Sequence, residues 1–83
     1  AVVPAIASLR AHAERIRTAE LARLEGRLAD RDRDLVETLT AQMVNKLLHL
    51  PTVRLKEAAV TAGGLLYADV VRHLFGLDEE DEA

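Results

Sequence analysis

Between Ala5 and Leu28 the sequence holds one long helical pattern, and its length constrains the fold more than any other feature. Ile6, Leu9, Ala13 and Ile16 recur at steps of three and four residues. After a slip, Leu21, Leu24 and Leu28 continue the stripe. Such spacing places apolar side chains on one face of a helix, and the slip makes that stripe drift around the axis. Pro4 suits the first turn, where a missing N–H has no helical partner to lose. A helix from Ala5 to Leu28 would be about 36 Å long. A compact chain of 83 residues has a radius of gyration of roughly 12 Å, so one helix is as long as the whole domain should be. Three shorter helices cannot easily cover its stripe from end to end; the alternative is a closed monomeric bundle, an antiparallel hairpin in which the second helix covers the first. Part of the set Ile6, Leu9, Ala13, Ile16, Leu21, Leu24 and Leu28 is therefore expected to meet a partner.

The remainder also reads as helix. The polar run Ala29-Asp30-Arg31-Asp32-Arg33-Asp34 is either a turn or a solvated helical stretch, with Asp32 or Asp34 as candidate N-caps. Leu35, Val36, Leu39, Met43, Leu47 and Leu50 then form a wide apolar face, with Val44 and Leu48 beside it. This second helix is expected to stop at Pro51, because the residue before a proline avoids the helical region. Lys46 and His49 would then fall in its last turns, where positive charge is favoured. A third helix is expected from Thr52, a plausible N-cap, through Leu55 to Ala58–Ala59, with Gly63-Gly64 breaking it. A fourth runs from about Leu65 to Phe75, with Leu66, Val70 and Leu74 on one face, Tyr67 and Val71 next to it, and Gly76 as C-terminal cap. No alternating run of strand length occurs. The expected fold is all-α: a long N-terminal helix plus about three shorter ones, forming an intermolecular bundle as a two-fold dimer. Val36, Leu39, Met43 and Leu47 join the first-helix stripe as expected interface residues.

Composition narrows the function. The chain is 49% hydrophobic but only 2% aromatic, and its apolar residues are mainly Ala, Leu and Val, which suit helices. No stretch approaches the roughly 18 apolar residues that a membrane span needs. There is no cysteine, hence no disulfide framework, thiolate zinc site or cysteine nucleophile. Surface scaling gives a globule of this size about 63% burial of its unfolded surface, marginal for a lone domain without staples. The net charge is −3, with five acids concentrated in Asp78–Glu82, a tail expected to be solvated and disordered beyond a helical domain at 1–77. The remaining nine acids and eleven bases are interspersed, with no basic face dense enough to mark nucleic-acid binding. The chain starts at Ala1 without a signal-like segment, and reads either as cut from something longer or as a processed initiator.

No catalytic constellation survives. His12, His49 and His73 lie on different expected helices without metal-ligand spacing. The carboxylates sit beside arginines at surface spacings, and nothing places one in an apolar pocket. There is no Gly-x-Ser-x-Gly elbow, and Gly63-Gly64 is too short to cradle phosphate. No catalytic, cofactor-binding or metal-binding residue is expected. Asn45, Lys46 and His49 are the distinctive polar residues. They read either as end-capping groups, with Asn45 bonding to a neighbouring helix, or as a contact to RNA or a partner protein. A helical adaptor of the second kind is the alternative function.

The order of features resembles the C-terminal dimerisation domain of glutamyl-tRNA reductase. Pro4, Leu9-Arg10, Ile16-Arg17 and Glu20-Leu21 carry the start of the resemblance. The centre is Asn45-Lys46-Leu47-Leu48-His49 with Pro51-Thr52, followed by Leu55-Lys56, and Leu74-Phe75-Gly76-Leu77 closes it. The resemblance implies a fragment of a three-domain, cytoplasmic enzyme that reduces tRNA-bound glutamate to glutamate-1-semialdehyde with NADPH, in tetrapyrrole (porphyrin) synthesis. The implied chemistry, a cysteine thioester followed by hydride transfer, belongs to upstream domains and to none of these residues. This chain would supply homodimer contacts in a V-shaped dimer. tRNA would be held mostly by other domains, and the next enzyme of the pathway is a further implied partner.

Overall fold

The computed structural model describes residues 2–61 and 63–77. The acidic tail falls outside the described residues. Three helices form: α1 (Val2–Arg23), α2 (Asp30–Ala58) and α3 (Gly64–Phe75). All the regular structure described is helical, as the sequence implied. The helix count and lengths differ from expectation, and each difference has a local cause.

Helix α1 stops short of Leu28. Leu24 and Glu25 donate to the carbonyls of Leu21 and Ala22, three residues back, at 3.1 Å each. Gly26 then adopts φ 76°, a left-handed conformation that glycine takes at little steric cost. Leu24 and Leu28 therefore lie in the connection, not on the helix. Asp32 and Asp34 are not caps either. Extended Ala29 precedes α2 without any side-chain cap bond, and Asp30 and Asp32 occupy its first turn, where negative charge suits the helix dipole.

Helix α2, not α1, is the longest element, at 29 residues. It runs through Pro51, so the expected second and third helices are one. Proline inside a helix costs about 3 kcal/mol, and Pro51 leaves the Leu47 carbonyl without its donor four residues on. Past the proline, Leu55 and Ala58 are buried. Each buried Leu side chain contributes about 1.5–3 kcal/mol, enough to offset most of that cost. Thr52 is consequently inside α2 rather than capping a new helix. Lys46 and His49 lie in its middle, and the basic residue in the last turn is Lys56.

Helices α1 and α2 run antiparallel. Arg10 Nη1 donates to Asn45 Oδ1 at 3.1 Å, Arg17 Nε to Thr40 Oγ1 at 3.0 Å, and Arg33 Nη1 to Glu25 Oε1 at 2.8 Å. Residue numbers thus rise along one helix as they fall along the other. Helix α3 packs across one end of this hairpin. Val2, Ala5, Leu55 and Ala68 form one buried cluster there, and Leu9, Leu48 and Leu77 a second. Gly64 permits the close approach of α3 to the end of α2, since a Cβ at that position would overlap the Ala58 carbonyl oxygen. At the other end Gly76 adopts φ 66° and caps α3 through bonds to the Arg72 and His73 carbonyls, as the sequence suggested.

The result is elongated. The chain extends 50 × 26 × 15 Å with a radius of gyration of 15.3 Å, against roughly 12 Å for a compact chain of this length. Helix α3 has 12 residues, about 18 Å of helix. It cannot cover a hairpin whose longer arm has 29 residues, about 43 Å.

Candidate interaction surface

The uncovered end of the hairpin is an open groove of about 480 Å³ between α1 and α2. Ile16, Leu21 and Leu24 line one wall, Val36, Met43 and Leu47 the other, and Phe75 closes the end nearest α3. The polar groups on its walls are few: His12, Arg17, Glu20 and Thr40.

Arg17 holds the two walls together. Its guanidinium donates to the Glu37 carbonyl at 2.8 Å, to Thr40 Oγ1 at 3.0 Å and to Glu14 Oε2 at 3.1 Å. The Thr40 hydroxyl in turn donates to the Val36 carbonyl at 2.9 Å. The planar guanidinium presents a rigid fork of donors, so one side chain fixes the spacing of α1 and α2 in the middle of the groove. At the closed end, the His12 and Phe75 rings meet edge to face with centroids 6.1 Å apart. At the open end, Arg33 bridges Glu25 and Glu37 at 2.8 and 3.2 Å. The hydrogen bond and charge of Arg33 hold the Glu25 carboxyl below its ordinary pKa, and the same bonds raise that of Arg33.

The structure divides the residues expected at an interface. Leu9 is 2% exposed and belongs to this protomer's own core. Ile6 and Ala13 are half-buried against that core. Ile16 lies on the same face of α1 but beyond the reach of α3, and is 54% exposed. Leu24, Leu39, Met43 and Leu47 are also exposed, Leu47 at 70%, while Leu21, Leu28 and Val36 are half-buried.

Helix α2 carries two apolar faces. Val44, Leu48 and Leu55 turn inward, whereas Leu35, Leu39, Met43, Leu47 and Leu50 form an exposed stripe. Among the sequence-motif residues, Asn45 accepts a bond from Arg10 across the hairpin, Pro51 is half-buried on the groove wall, and Lys46 and His49 are exposed.

Helix α3 carries the expected face of Leu66, Val70 and Leu74, and that face points away from the core. Its core side is Gly64, Ala68 and Val71, and Leu66, Val70 and Leu74, with Tyr67, are exposed. The small residues Gly64 and Ala68 let the helices approach closely, and the bulkier stripe stays outside. Arg17 enters the sequence reading only through the Ile16-Arg17 element of the resemblance, and no spacing marks its bridge to α2.

Among the described residues no three His, Cys, Asp or Glu side chains gather as a metal site, and no helix is long and apolar enough to cross a membrane. What the surface offers is apolar area. Eight hydrophobic residues are buried against fifteen large ones exposed among those described. Monomeric proteins rarely leave contiguous apolar patches of more than a few hundred Å² to water.

The family model described as glutamyl-tRNA(Glu) reductase, dimerisation domain, matches residues 1–77. Among curated proteins, a glutamyl-tRNA reductase of Frankia alni is 46% identical over 82 residues, 95% of this chain and 17% of the relative. One of Streptomyces coelicolor is 44% identical over 85 residues, 99% of this chain and 15% of the relative. Glutamyl-tRNA reductase 2 of Anaeromyxobacter dehalogenans is 46% identical over 84 residues, 96% and 19%. The chain thus spans about a sixth of the length of the relatives it matches. No solved structure matches it.

Proposed function

The chain belongs to the dimerisation-domain family of glutamyl-tRNA reductases, and from that membership we propose that it pairs two copies of a longer enzyme through the uncovered end of its α1–α2 hairpin. The observation that carries this reading is the 480 Å³ apolar groove, continuous with the exposed α2 stripe. Ile16, Leu24, Leu39, Met43 and Leu47 are the principal contacts, with Leu21, Leu28 and Val36 at the base. Ile6, Leu9 and Ala13 support the surface from within the protomer. The 1–77 segment is the pairing module, and 78–83 is an acidic extension outside it.

The longer enzyme would be a cytoplasmic, NADPH-dependent reductase acting on glutamyl-tRNA; the names of its relatives, glutamyl-tRNA reductase, support the reductase and its substrate. This chain has no cysteine, and among the described residues no Gly-rich turn follows a strand. Its residues therefore do not fit a thioester step or a dinucleotide, and both are assigned to the remainder of the enzyme. The contribution of this chain is geometric: a two-fold contact that sets the separation of two distant catalytic units.

Sedimentation of Met43→Asp and Leu47→Asp variants tests the reading. Both positions are exposed in the protomer, so helicity by circular dichroism should persist while the species halves in mass. Dimers of unchanged affinity would contradict the assignment.

A further inference from the structure

We propose that the element filling the groove is α3 of the second copy, seated by its outer ridge of Leu66, Val70 and Leu74, so that each protomer gives one ridge and receives one. The inference rests on the pairing function proposed above and specifies how the pairing is made.

Length is the first argument. Helix α3 of the same chain covers the hairpin as far as Leu9 and His12, through Leu77 and Phe75. Beyond that point α1 continues to Arg23, about 16 Å more. Helix α3 is 12 residues, about 18 Å. The vacant length matches one further helix of the size already packed beside it.

Chemistry is the second. The groove continues the face on which this protomer's own α3 end rests, with Ile16 following Leu9 along α1 and Met43 preceding Leu48 along α2. What fits there is another apolar helix.

The third is the ridge itself. Val70 lies two residues past Ala68, so about 200° around the helix, on the side away from the core. Leu66, Val70 and Leu74 recur every four residues there, and all three are exposed. A ridge of this kind is the ridges-into-grooves counterpart of the cleft. A two-fold interface must be self-complementary. Ridge-into-groove exchange meets that condition and removes both apolar surfaces from water together. Pairing groove on groove would cover the first and leave the ridge exposed.

The absence of cysteine makes a clean test. Chains carrying M43C and chains carrying V70C are prepared separately, then co-refolded and treated with a short bismaleimide. The expected result is a covalent dimer joining position 43 of one chain to position 70 of the other, abundant in the mixture and weak in either variant alone. A second pair, L47C with L74C, repeats the measurement should one variant fold poorly. Light scattering on the wild-type chain accompanies it. A dimer that cross-links at 43–43 or 70–70 but not 43–70, in both pairs, would overturn the exchange and leave the pairing function standing. A monomeric wild type would overturn both.

Discussion

Leu77 lies one residue past the left-handed Gly76 and is fully shielded from solvent in the cluster that holds Leu9 of α1. The backbone reversal at Gly76 is what brings it there. It lets the end of α3 close the core from outside the helix. The Leu-Phe-Gly-Leu ending therefore does three things: Phe75 walls the groove, Gly76 turns the chain, and Leu77 anchors it.

Leu77→Ala should destabilise the fold by about 2–5 kcal/mol, the range for truncating a fully buried leucine. Gly76→Ala should cost about 1–2 kcal/mol, from the left-handed conformation alone. Denaturant titration followed by circular dichroism measures both. A loss for Leu77→Ala no larger than that for Gly76→Ala would mean that Leu77 is not an anchor.

The adjacent glycines separate by position. A Cβ on Gly63 would make ordinary contacts of 3.8 Å to Tyr67 and 3.9 Å to Thr61, whereas one on Gly64 meets the Ala58 backbone. Gly64→Ala should therefore destabilise by about 1–3 kcal/mol, the usual cost of overpacking. Gly63→Ala should fall within about 1 kcal/mol of the wild type, since its backbone is right-handed and alanine restricts the unfolded chain more than glycine does. Thermal melts of the two single variants decide this, and equal losses would contradict it.

Arg17→Lys should weaken the hairpin although the charge is kept. A lysine cannot reproduce the three-way fork to Glu14, Glu37 and Thr40, and hydrogen bonds from a charged group contribute about 1.5–3 kcal/mol each when not fully solvated. The expected drop in unfolding free energy is about 1–2 kcal/mol after discounting for partial exposure. A lysine variant as stable as the wild type would show that the fork does not set the spacing.

The bridge at the open end carries a pH signature. The Glu25 carboxyl is held below its usual value of 4.5 by the hydrogen bond and charge of Arg33. A depressed folded-state pKa means that the stabilisation is present at neutral pH and is lost as pH falls through the acid range below the unfolded value. The elevated pKa of Arg33 lies above any accessible pH and adds no window. Stability measured from neutral to acid pH should therefore fall less steeply in Glu25→Gln than in the wild type, and the difference should shrink at high salt. Both groups are at the surface, so the effect is small in size and definite in sign. Parallel pH profiles would refute the coupling.

Much of this was legible in the sequence, and the failures share a cause. The all-α class, the break between Ala58 and Gly64, and the Gly76 cap follow from local chemistry, which neighbouring residues suffice to specify. Pro51 misled because its penalty is local while the burial of Leu55 and Ala58 that offsets it is tertiary. Gly26 carries the opposite signal: a weak helix former between Leu24 and Leu28, it takes a left-handed φ of 76° just past the end of α1 and lets the chain turn. Leu9 and Ile16 are indistinguishable by spacing. Only the length of α3 determines that the first is enclosed and the second is left open.

The account stands on the groove being a contact between two copies of this chain. Light scattering of the wild-type chain over a concentration series measures that most directly. The account predicts a species near twice 9.1 kDa, dissociating only on dilution. A mass of one chain at every concentration, with the helices intact by circular dichroism, would contradict it.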